Sequence, residues 1–404
     1  MKTLIKNATL ISMDDTRPKM QQEIDVLVEN DKIAEIGRQI EARVDNTIDA
    51  KNRVLLPGLI NTHAHVPMSI FREIADGCPL QEWLEEKIWP IEAKLLGEDI
   101  YNASILTFRE MIETGTTTVN DQYFMTEHII KAALEKQIRI ELTRVLMDAD
   151  NDGETRIKEF EEIIEKYKDV DEKISLSLGI HGLYTCSPEY VKRATDLARK
   201  YNLTIHMHFC ENTKEVEDIK RIHNVQNPSE VLEKYFYGTK AILAHCVKLS
   251  QKDMEVIKKL NFSVAHCPIS NLRLGCGIAN IEKMREMGIN ITLGTDGQGS
   301  GSNMDMFETM KFAALLQKGE YENPIAMPAF EVLKMATING AKALGKDNEI
   351  GSIEIGKKAD LILLDLNGTI TTPINDIFAD IIYNAKGSNI KLTMINGKIL
   401  NLHE

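Results

Sequence analysis

The middle of the chain alternates short apolar runs with longer amphipathic segments. In the segment 154–173, apolar residues recur every three or four positions with Glu and Lys between them, which is the pattern of a half-exposed helix. Eight strand–helix pairs in succession are typical of a (β/α)8 barrel, so we predict a TIM barrel. The eight apolar runs are Leu59–Thr62, Thr116–Asn120, Ile138–Leu146, Ile174–Ile180, Thr204–Phe209, Ala241–Ala244, Phe262–Ala265 and Ile289–Gly294.

Both ends of the chain are β-like and lack this alternation. Lys32–Gly37 alternates apolar and polar residues with period two, as a half-buried strand does. Ala359–Asp365 predicts another strand, and residues 392–400 predict a hairpin that turns at Asn396-Gly397. Each end is too short to bury a core alone, so we expect the two ends to fold together.

The length supports a second, smaller domain. A single core rarely grows beyond roughly 250–300 residues, whereas this chain has 404. We predict an α/β protein in which a small β-sandwich domain from residues 1–56 and 356–404 flanks a barrel over residues 57–355.

Composition and charge exclude several function classes. Apolar residues make up 43% and charged residues 27% of the chain, which argues against disorder. The net charge of −13 argues against a nucleic-acid or anionic-membrane partner. We find no apolar run long enough for a transmembrane helix, no signal peptide and no GxGxxG dinucleotide motif. The six cysteines form no CxxC pair, so we expect free thiols and a cytoplasmic protein.

Histidines cluster at the carboxyl ends of the predicted strands, where barrel active sites form. Alternate residues of a strand point to the same side, so the imidazoles of His63-Ala64-His65 can bind one metal ion. Asp296 follows the last apolar run. Six of the ten histidines lie at strand ends: His63, His65, His181, His208, His245 and His266.

A catalytic metal site has three or four protein ligands and an open position for water. His63, His65, one later histidine and Asp296 would form such a site. His208 is a better ligand than His206 because it lies nearer the end of its strand, and we interpret His206 as an interior residue. Histidine and carboxylate ligands suit zinc, iron, manganese or cobalt.

Glu211 follows His208 by three residues, just past the predicted strand. A carboxylate beside a metal ligand can take the proton of the attacking water and pass it to the substrate. A helix cap or a solvated glutamate would be the structural alternative, and the position beside His208 favours the catalytic interpretation.

These motifs resemble those of the amidohydrolase superfamily, and within it the 5-methylthioadenosine/S-adenosylhomocysteine deaminases. The resemblance extends over essentially the whole chain. It is carried by Leu56–His65, Trp83-Leu84, Trp89–Glu92, Gly115–Thr118, His206–His208 with Glu211, Leu243–Cys246, Ser263–Pro268, Ser270–Leu272, Leu293–Gly297 and Gly356–Leu361.

The resemblance implies one divalent metal ion per subunit, zinc in the first place and iron or manganese otherwise, held by His63, His65, His208 and Asp296. The run Ile174–Ile180 has no lysine for a carbamate bridge, which also favours one metal. His245 would orient the attacking water. Asp296 would also act as a base.

Glu211 is expected to carry a proton from the water to the purine N1, after which ammonia leaves C6. The expected reaction is hydrolytic deamination of an adenosine-type nucleoside. The resemblance also implies a homo-oligomer.

The resemblance further implies a substrate pocket. Glu92 would bind the ribose hydroxyls, Trp83 would pack near the substrate and His181 would contact the purine or ribose. Arg144 and Arg156 match positions that meet the carboxylate of a homocysteine tail, although Arg156 could equally be a helix-surface charge. The net charge of −13 disfavours an anionic tail unless these arginines offset it.

The tail region and two departures leave the substrate open. Ser300 matches a polar residue near the tail. Gly182-Leu183 replaces a small residue and proline after His181, and Gln122 stands where methionine is usual. The alternatives are 5′-deoxyadenosine, adenosine, guanine or cytosine deamination, and triazine or chlorinated-ring hydrolysis. A non-catalytic scaffold would have lost metal ligands, and none is lost here.

Overall fold

A computed structural model describes residues 1–74, 77–367 and 373–402. Its strands, in chain order, are β1 Lys2–Leu10, β2 Gln21–Glu29, β3 Lys32–Gly37, β4 Asn46–Asp49, β5 Val54–Pro57, β6 Leu59–Ala64, β7 Thr116–Tyr123, β8 Arg139–Leu146, β9 Ile174–Leu176, β10 Leu178–Gly182, β11 Thr204–Phe209, β12 Lys240–His245, β13 Ser263–His266, β14 Asn290–Leu293, β15 Leu361–Leu364, β16 Ile390–Ile395 and β17 Lys398–Leu402.

The helices alternate with the barrel strands along the chain and lie around the barrel. The α-helices are α1 Leu80–Glu82, α2 Trp89–Glu92, α3 Gly97–Glu113, α4 Thr126–Lys136, α5 Gly153–Tyr167, α6 Pro188–Tyr201, α7 Thr213–His223, α8 Ser229–Tyr235, α9 Gln251–Lys259, α10 Pro268–Arg273, α11 Ile281–Glu286, α12 Gln298–Gly301, α13 Met306–Glu320, α14 Ala329–Met335, α15 Ile338–Ala343 and α16 Ile377–Tyr383. A π-helix spans Trp83–Ile88, and 3-10 helices span Val66–Phe71, Leu183–Thr185 and Gly387–Asn389. Within the described ranges, no helix combines the length and the apolar composition that a bilayer crossing requires.

The predicted barrel is confirmed. Strands β6, β7, β8, β10, β11, β12, β13 and β14 are parallel neighbours in that order, and all of them except β10 contain one of the predicted apolar runs or its larger part. The run Ile174–Ile180 differs in detail because it is divided at Ser177 into β9 and β10, both of which pair with β8.

Side chains bring the first and last barrel strands together. The Thr62 hydroxyl lies 2.8 Å from the Leu293 carbonyl, and the Asn61 amide donates to the Thr295 hydroxyl at 2.7 Å. The backbone N–H of Asp296 donates to the carbonyl of His63 at 3.1 Å. The closure of the barrel therefore places two predicted metal ligands side by side.

The two ends of the chain form one eight-stranded sheet, as the β-like pattern predicts. Its order is β17-β16-β15-β5-β1-β2-β3, with β4 beside β1. Alternate side chains of this sheet pack in two different hydrophobic cores. Leu361 and Leu363 belong to the apolar cluster of the sheet itself, whereas Ile362 and Leu364 belong to the cluster of the barrel. The hairpin turns at Asn396-Gly397, where both residues have positive φ, as a type I′ turn requires.

A buried ion pair joins the sheet to the amino-terminal end of the barrel. Arg139, the first residue of β8, donates through Nε to Asp360 at 2.9 Å, and the two side chains are 1% and 2% exposed. Asp360 also accepts the backbone N–H of Asn396 at 2.7 Å. The sheet is thus held at the end of the barrel opposite to the predicted site.

Candidate metal centre and substrate cavity

Three histidines direct their Nε2 atoms to one point at the carboxyl end of the barrel. The Nδ1–H of His65 donates to the Gln122 carbonyl at 2.7 Å, and that of His208 donates to the His181 carbonyl at 2.6 Å. Because a carbonyl only accepts, Nδ1 carries a proton in both rings, and Nε2 is the atom that would bind a metal ion. The Nδ1 of His63 lies 2.8 Å from Nε2 of His206. Such hydrogen bonds orient imidazoles for metal binding.

Asp296 completes this group. Its Oδ1 lies 3.4 Å from His63 Nε2 and 3.2 Å from His65 Nε2, while its Oδ2 accepts the hydroxyls of Ser270 at 2.5 Å and Ser300 at 2.7 Å. Burial raises the pKa of Asp296, but the two histidines beside its Oδ1 outweigh this effect and hold the pKa well below its ordinary value. The residue has a φ of 62°, an uncommon conformation for a non-glycine residue.

The donor set fits a divalent metal ion. Ligand atoms of His63, His65 and His208 lie within 4.8 Å of one another, and the buried Nε2 of His63 has no hydrogen-bond partner. His63, His245 and Cys267 form a second group of the same size. Burial raises the pKa of the Cys267 thiol well above its ordinary value, which disfavours the thiolate that a metal ion would need. The histidine–aspartate group is therefore the better site.

Glu211 and His245 lie beside this group. Glu211 Oε1 is 3.7 Å from His245 Nδ1, which itself is 2.8 Å from the Asn271 amide oxygen. Glu211 is buried, and burial raises the pKa of its carboxyl. A buried carboxyl with a raised pKa holds a proton at higher pH than a solvated glutamate, which suits an acid–base group.

Glu215 holds the segment that carries Glu211. Its two oxygens accept the backbone N–H groups of Cys210 at 2.8 Å and Glu211 at 2.7 Å. The pattern Asn212-x-x-Glu215 predicts a capping box, in which the glutamate would bond the cap residue. One of the two hydrogen bonds of the box forms, in which Asn212 accepts the backbone N–H of Glu215 at 2.8 Å. The carboxylate of Glu215 instead accepts the two N–H groups beside the site. Sequence reasoning missed this residue.

An inner cavity opens over the metal group, with about 630 Å³ of space when its open mouth is included. Most of the predicted site residues line it, and His63 lies beneath it. The predicted residues in its lining are His65, Trp83, Glu92, His181, His208, Glu211, His245, Asp296 and Ser300.

The segment between β6 and β7 covers one side of the inner cavity. It brings Trp83, at the start of the π-helix, and Glu92, at the end of α2. The Tyr123 hydroxyl donates to Glu92 at 2.5 Å and so ties this segment to the end of β7. Burial raises the pKa of Glu92. Sequence reasoning missed Tyr123.

An outer chamber, open to solvent, adjoins the inner cavity and shares Trp89, Glu92 and Phe124 with it. Arg144 and Arg156 line this chamber and not the inner cavity. Both arginines pair with carboxylates of the chain itself.

Other predicted residues take more specific positions. His181 lies 3.1 Å from the Thr185 hydroxyl, and burial lowers its pKa to about 4. His266 is buried and is not among the lining residues. Ser300, expected near the substrate tail, instead donates to Asp296 and is absent from the lining of the outer chamber.

Gln122 crosses the end of the barrel. Its amide nitrogen donates to the carbonyls of Ile180 at 3.1 Å and His206 at 3.0 Å, while its backbone carbonyl accepts from His65. It therefore links β7 to β10, β11 and the metal group. Sequence reasoning noted Gln122 as a departure but not this role, because nothing local in the sequence marks contacts between distant strands.

Comparisons with known proteins agree with this geometry. The model of the amidohydrolase family matches residues 54–400. A 5-methylthioadenosine/S-adenosylhomocysteine deaminase of Caldanaerobacter subterraneus subsp. tengcongensis is 40% identical over 99% of this chain and 93% of its own length. A 5′-deoxyadenosine deaminase of Methanosarcina acetivorans is 40% identical over 98% of this chain and 92% of its own.

A solved structure shares the whole architecture. The adenosine deaminase from Xanthomonas campestris with bound zinc superimposes with a TM-score of 0.94 at 29% identity, and the match covers 99% of this chain and 93% of the other.

Proposed function

The chain belongs to the amidohydrolase family, and we propose that it is a metal-dependent deaminase of adenosine-type nucleosides. The proposed substrates are 5-methylthioadenosine and/or S-adenosylhomocysteine, which are converted to the inosyl product and ammonia. Relatives with this name cover nearly the whole chain at up to 40% identity. The observation that carries the proposal is the buried Glu211 in the same cavity as His65, His208 and Asp296.

One metal ion, with zinc as the first candidate, would be held by His63, His65, His208 and Asp296. When bound, such an ion supplies Lewis acidity, which makes a water molecule nucleophilic near neutral pH. His63 and His208 supply neutral Nε2 donors, because burial lowers the pKa of His63 to about 3 and that of His208 well below its ordinary value. Burial also lowers the pKa of His65, but the hydrogen bond and the charge of Asp296 outweigh it and raise this pKa to about 9, so a bound ion would replace a proton on this ring. Ser270 and Ser300 orient the aspartate.

Proton transfer is assigned to Glu211. It accepts a proton from the attacking water and delivers it to N1 of the purine, so that the oxygen adds to C6. Asp296 accepts the second proton of the water and passes it to the amino group, which leaves C6 as ammonia. His245 orients the attacking oxygen through its ring, which Asn271 holds at 2.8 Å.

The nucleoside is bound at the outer side of the inner cavity. Glu92 accepts the ribose hydroxyls, because one carboxylate can accept two donors side by side. Trp83 packs on the nucleoside, and His181 donates to or accepts from it. Tyr123 positions Glu92 through the 2.5 Å hydrogen bond.

A second candidate substrate is 5′-deoxyadenosine. The 5′-deoxyadenosine deaminases of Methanosarcina acetivorans and Methanobrevibacter smithii are 40% and 41% identical to this chain, which is as similar as the first group. Both candidates are adenine nucleosides that differ at the 5′ position, so they require the same inner cavity.

Ammonia release from a panel of compounds tests the proposal. The metal-loaded protein is assayed with methylthioadenosine, S-adenosylhomocysteine, 5′-deoxyadenosine, adenosine, guanine and cytosine. We expect activity on the nucleosides and its loss in Glu92→Ala. Activity on free bases alone, or full activity of Glu92→Ala on nucleosides, would contradict the assignment of the cavity.

A further inference from the structure

The pairing of β10 with β11 is irregular beside the metal group. Ile180 lies opposite Met207 and Gly182 lies opposite His208, so His181 is an extra residue on β10, and we call this irregularity the His181 bulge. A bulge re-aims the side chain of its extra residue, and bulges are frequent next to active sites. The His181 ring lines the inner cavity, and its carbonyl accepts the Nδ1–H of His208 at 2.6 Å. The shape of the bulge therefore affects one proposed metal ligand and one proposed nucleoside contact.

The side chain of Gln122 bridges the two strands at this bulge. Gln122 lies on β7, which β8 separates from β10 in the barrel. Its Nε2 donates to the carbonyl of Ile180, just before the bulge, at 3.1 Å and to the carbonyl of His206 on β11 at 3.0 Å. Because a carbonyl only accepts, both N–H groups of the amide face these strands and the orientation of the amide is fixed. Gln122 thus joins β10 to β11 where their register shifts.

Packing alone does not explain a glutamine at this position. Oε1 of Gln122 is buried and has no hydrogen-bond partner in the part of the chain that the structure describes. A buried acceptor without a partner costs free energy, and an apolar side chain of the same length would avoid this cost. Methionine has that length. The glutamine is therefore explained by the two donors of its amide and not by its volume.

The main chain of Gln122 contacts a second proposed ligand. Its backbone carbonyl accepts the Nδ1–H of His65 at 2.7 Å. The residue thus orients His65 directly and acts on His208 through the His181 bulge. Gln122 is fully buried, so solvent does not compete for these hydrogen bonds.

We propose that Gln122 is a positioning residue, whose amide holds the His181 bulge and thereby the ring orientations of His208 and His181. This rests on the proposed function, because it takes His208 as a metal ligand and His181 as a nucleoside contact. Gln122 has no part in the chemical step itself. Removal of a group that orients a metal ligand typically weakens metal binding or activity by about 10–100-fold.

Gln122→Met tests this role, because it keeps the length of the side chain and removes both donors. The dissociation constant of zinc, measured by competition with a chelator, should rise by about 10–100-fold. The visible absorption of the cobalt-loaded protein should change as well, since the orientation of His208 changes. With zinc in excess, KM for methylthioadenosine should still rise by about two- to tenfold, because His181 is displaced. A variant with the zinc affinity and cobalt spectrum of the wild type would overturn the proposal.

The matched control is Gln317→Met on α13. Gln317 is also fully buried, and its Nε2 donates to the Ala279 carbonyl at 2.9 Å, but it does not line the inner cavity. The same chemical change away from the metal group should leave the zinc affinity and the cobalt spectrum unchanged, even where it lowers the thermal midpoint. An equal loss of zinc affinity in both variants would show a general loosening of the fold and would reject the positioning role.

Gln122→Asn is the second variant and decides the question if Gln122→Met does not fold. It keeps a buried amide but is one methylene shorter, too short to bridge both carbonyls, so it should weaken zinc binding too. Wild-type zinc affinity in Gln122→Asn would contradict the proposal. Failure of the wild-type protein to bind zinc or to deaminate any nucleoside would instead reject the proposed function, so the two failures are distinguishable.

Discussion

The two ends of the barrel differ in whether their buried polar groups are paired. At the amino-terminal end, Arg139 and Asp360 are buried and paired. At the carboxyl end, His63 leaves a buried nitrogen without a partner, and His245 and Asp296 have positive φ. Buried polar groups without partners and uncommon backbone conformations are costly, and they concentrate where function requires them. We therefore expect the amino-terminal end to stabilise the fold and the carboxyl end to carry the proposed chemistry.

Removing the acid–base group should have the largest effect on activity. Glu211→Gln preserves shape but cannot transfer a proton, so kcat on methylthioadenosine should fall by about 10³-fold. Because burial already raises the pKa of Glu211, the neutral amide should not lower the thermal midpoint. Steady-state kinetics and thermal unfolding check both parts.

The matched control for this substitution is Glu217→Gln on the exposed side of α7, which should keep the wild-type kcat. A Glu211→Gln variant that retained a tenth or more of the activity would refute the assigned role.

The opposite result is expected at the amino-terminal end. Asp360→Asn leaves the buried Arg139 without a charged partner and should lower the free energy of unfolding by about 3–5 kcal/mol. The kcat of the folded protein should not change, since the pair lies far from the inner cavity. Denaturant unfolding and kinetics below the transition measure the two quantities.

Asp196→Asn provides the same chemical change at an exposed carboxylate, which pairs with Lys192 and Arg199, and the loss should be less than about 1 kcal/mol. Equal losses in the two variants would mean that burial does not strengthen the Arg139–Asp360 pair.

Glu215 holds the backbone segment that carries Glu211, so its substitution should lower activity less than Glu211→Gln does. Glu215→Gln keeps one oxygen acceptor and loses the other, which loosens the backbone of Cys210 and Glu211. We expect kcat to fall by about tenfold with little change in KM, because the nucleoside contacts remain. Because burial raises the pKa of Glu215 to about 7, the variant differs from the wild type in charge only above about that pH, and the pH profile should change there. A change in KM alone would indicate a substrate contact instead of a positioning role.

The repeating pattern of the sequence was sufficient to predict the barrel and the terminal sheet. The same logic brought His65, His208, Glu211 and Asp296 into one cavity, because strand ends meet at one face. The pairing of Arg144 with Glu159 could not be predicted, since it depends on how α5 lies against β8.

Residues that act across strands escaped prediction for the same reason. Gln122 and Tyr123 bond to groups on other elements, and these contacts leave no periodic mark in the sequence. Glu215 lies in the helix-capping pattern Asn212-x-x-Glu215, and this pattern does not indicate that its carboxylate accepts the backbone N–H groups of Cys210 and Glu211.

The smallest predicted effect is the pH dependence of stability from a carboxyl inside β8. Glu141 is buried, and burial raises its pKa to about 7 from the ordinary value of 4.5. The folded protein thus holds this proton more tightly than the unfolded chain, so its contribution to stability is full below about pH 4.5 and is lost as the pH rises through about 7.

Buried neutral histidines such as His63, whose pKa is lowered to about 3, contribute in the opposite direction over part of this range. Only the difference between Glu141→Gln and the wild type therefore isolates the carboxyl. That difference should change by at most about 1.4 kcal/mol per pH unit, with the variant gaining relative stability as the pH rises. Denaturant unfolding of both proteins at pH 5, 6, 7 and 8 measures it, and parallel curves would show that Glu141 is ionised throughout.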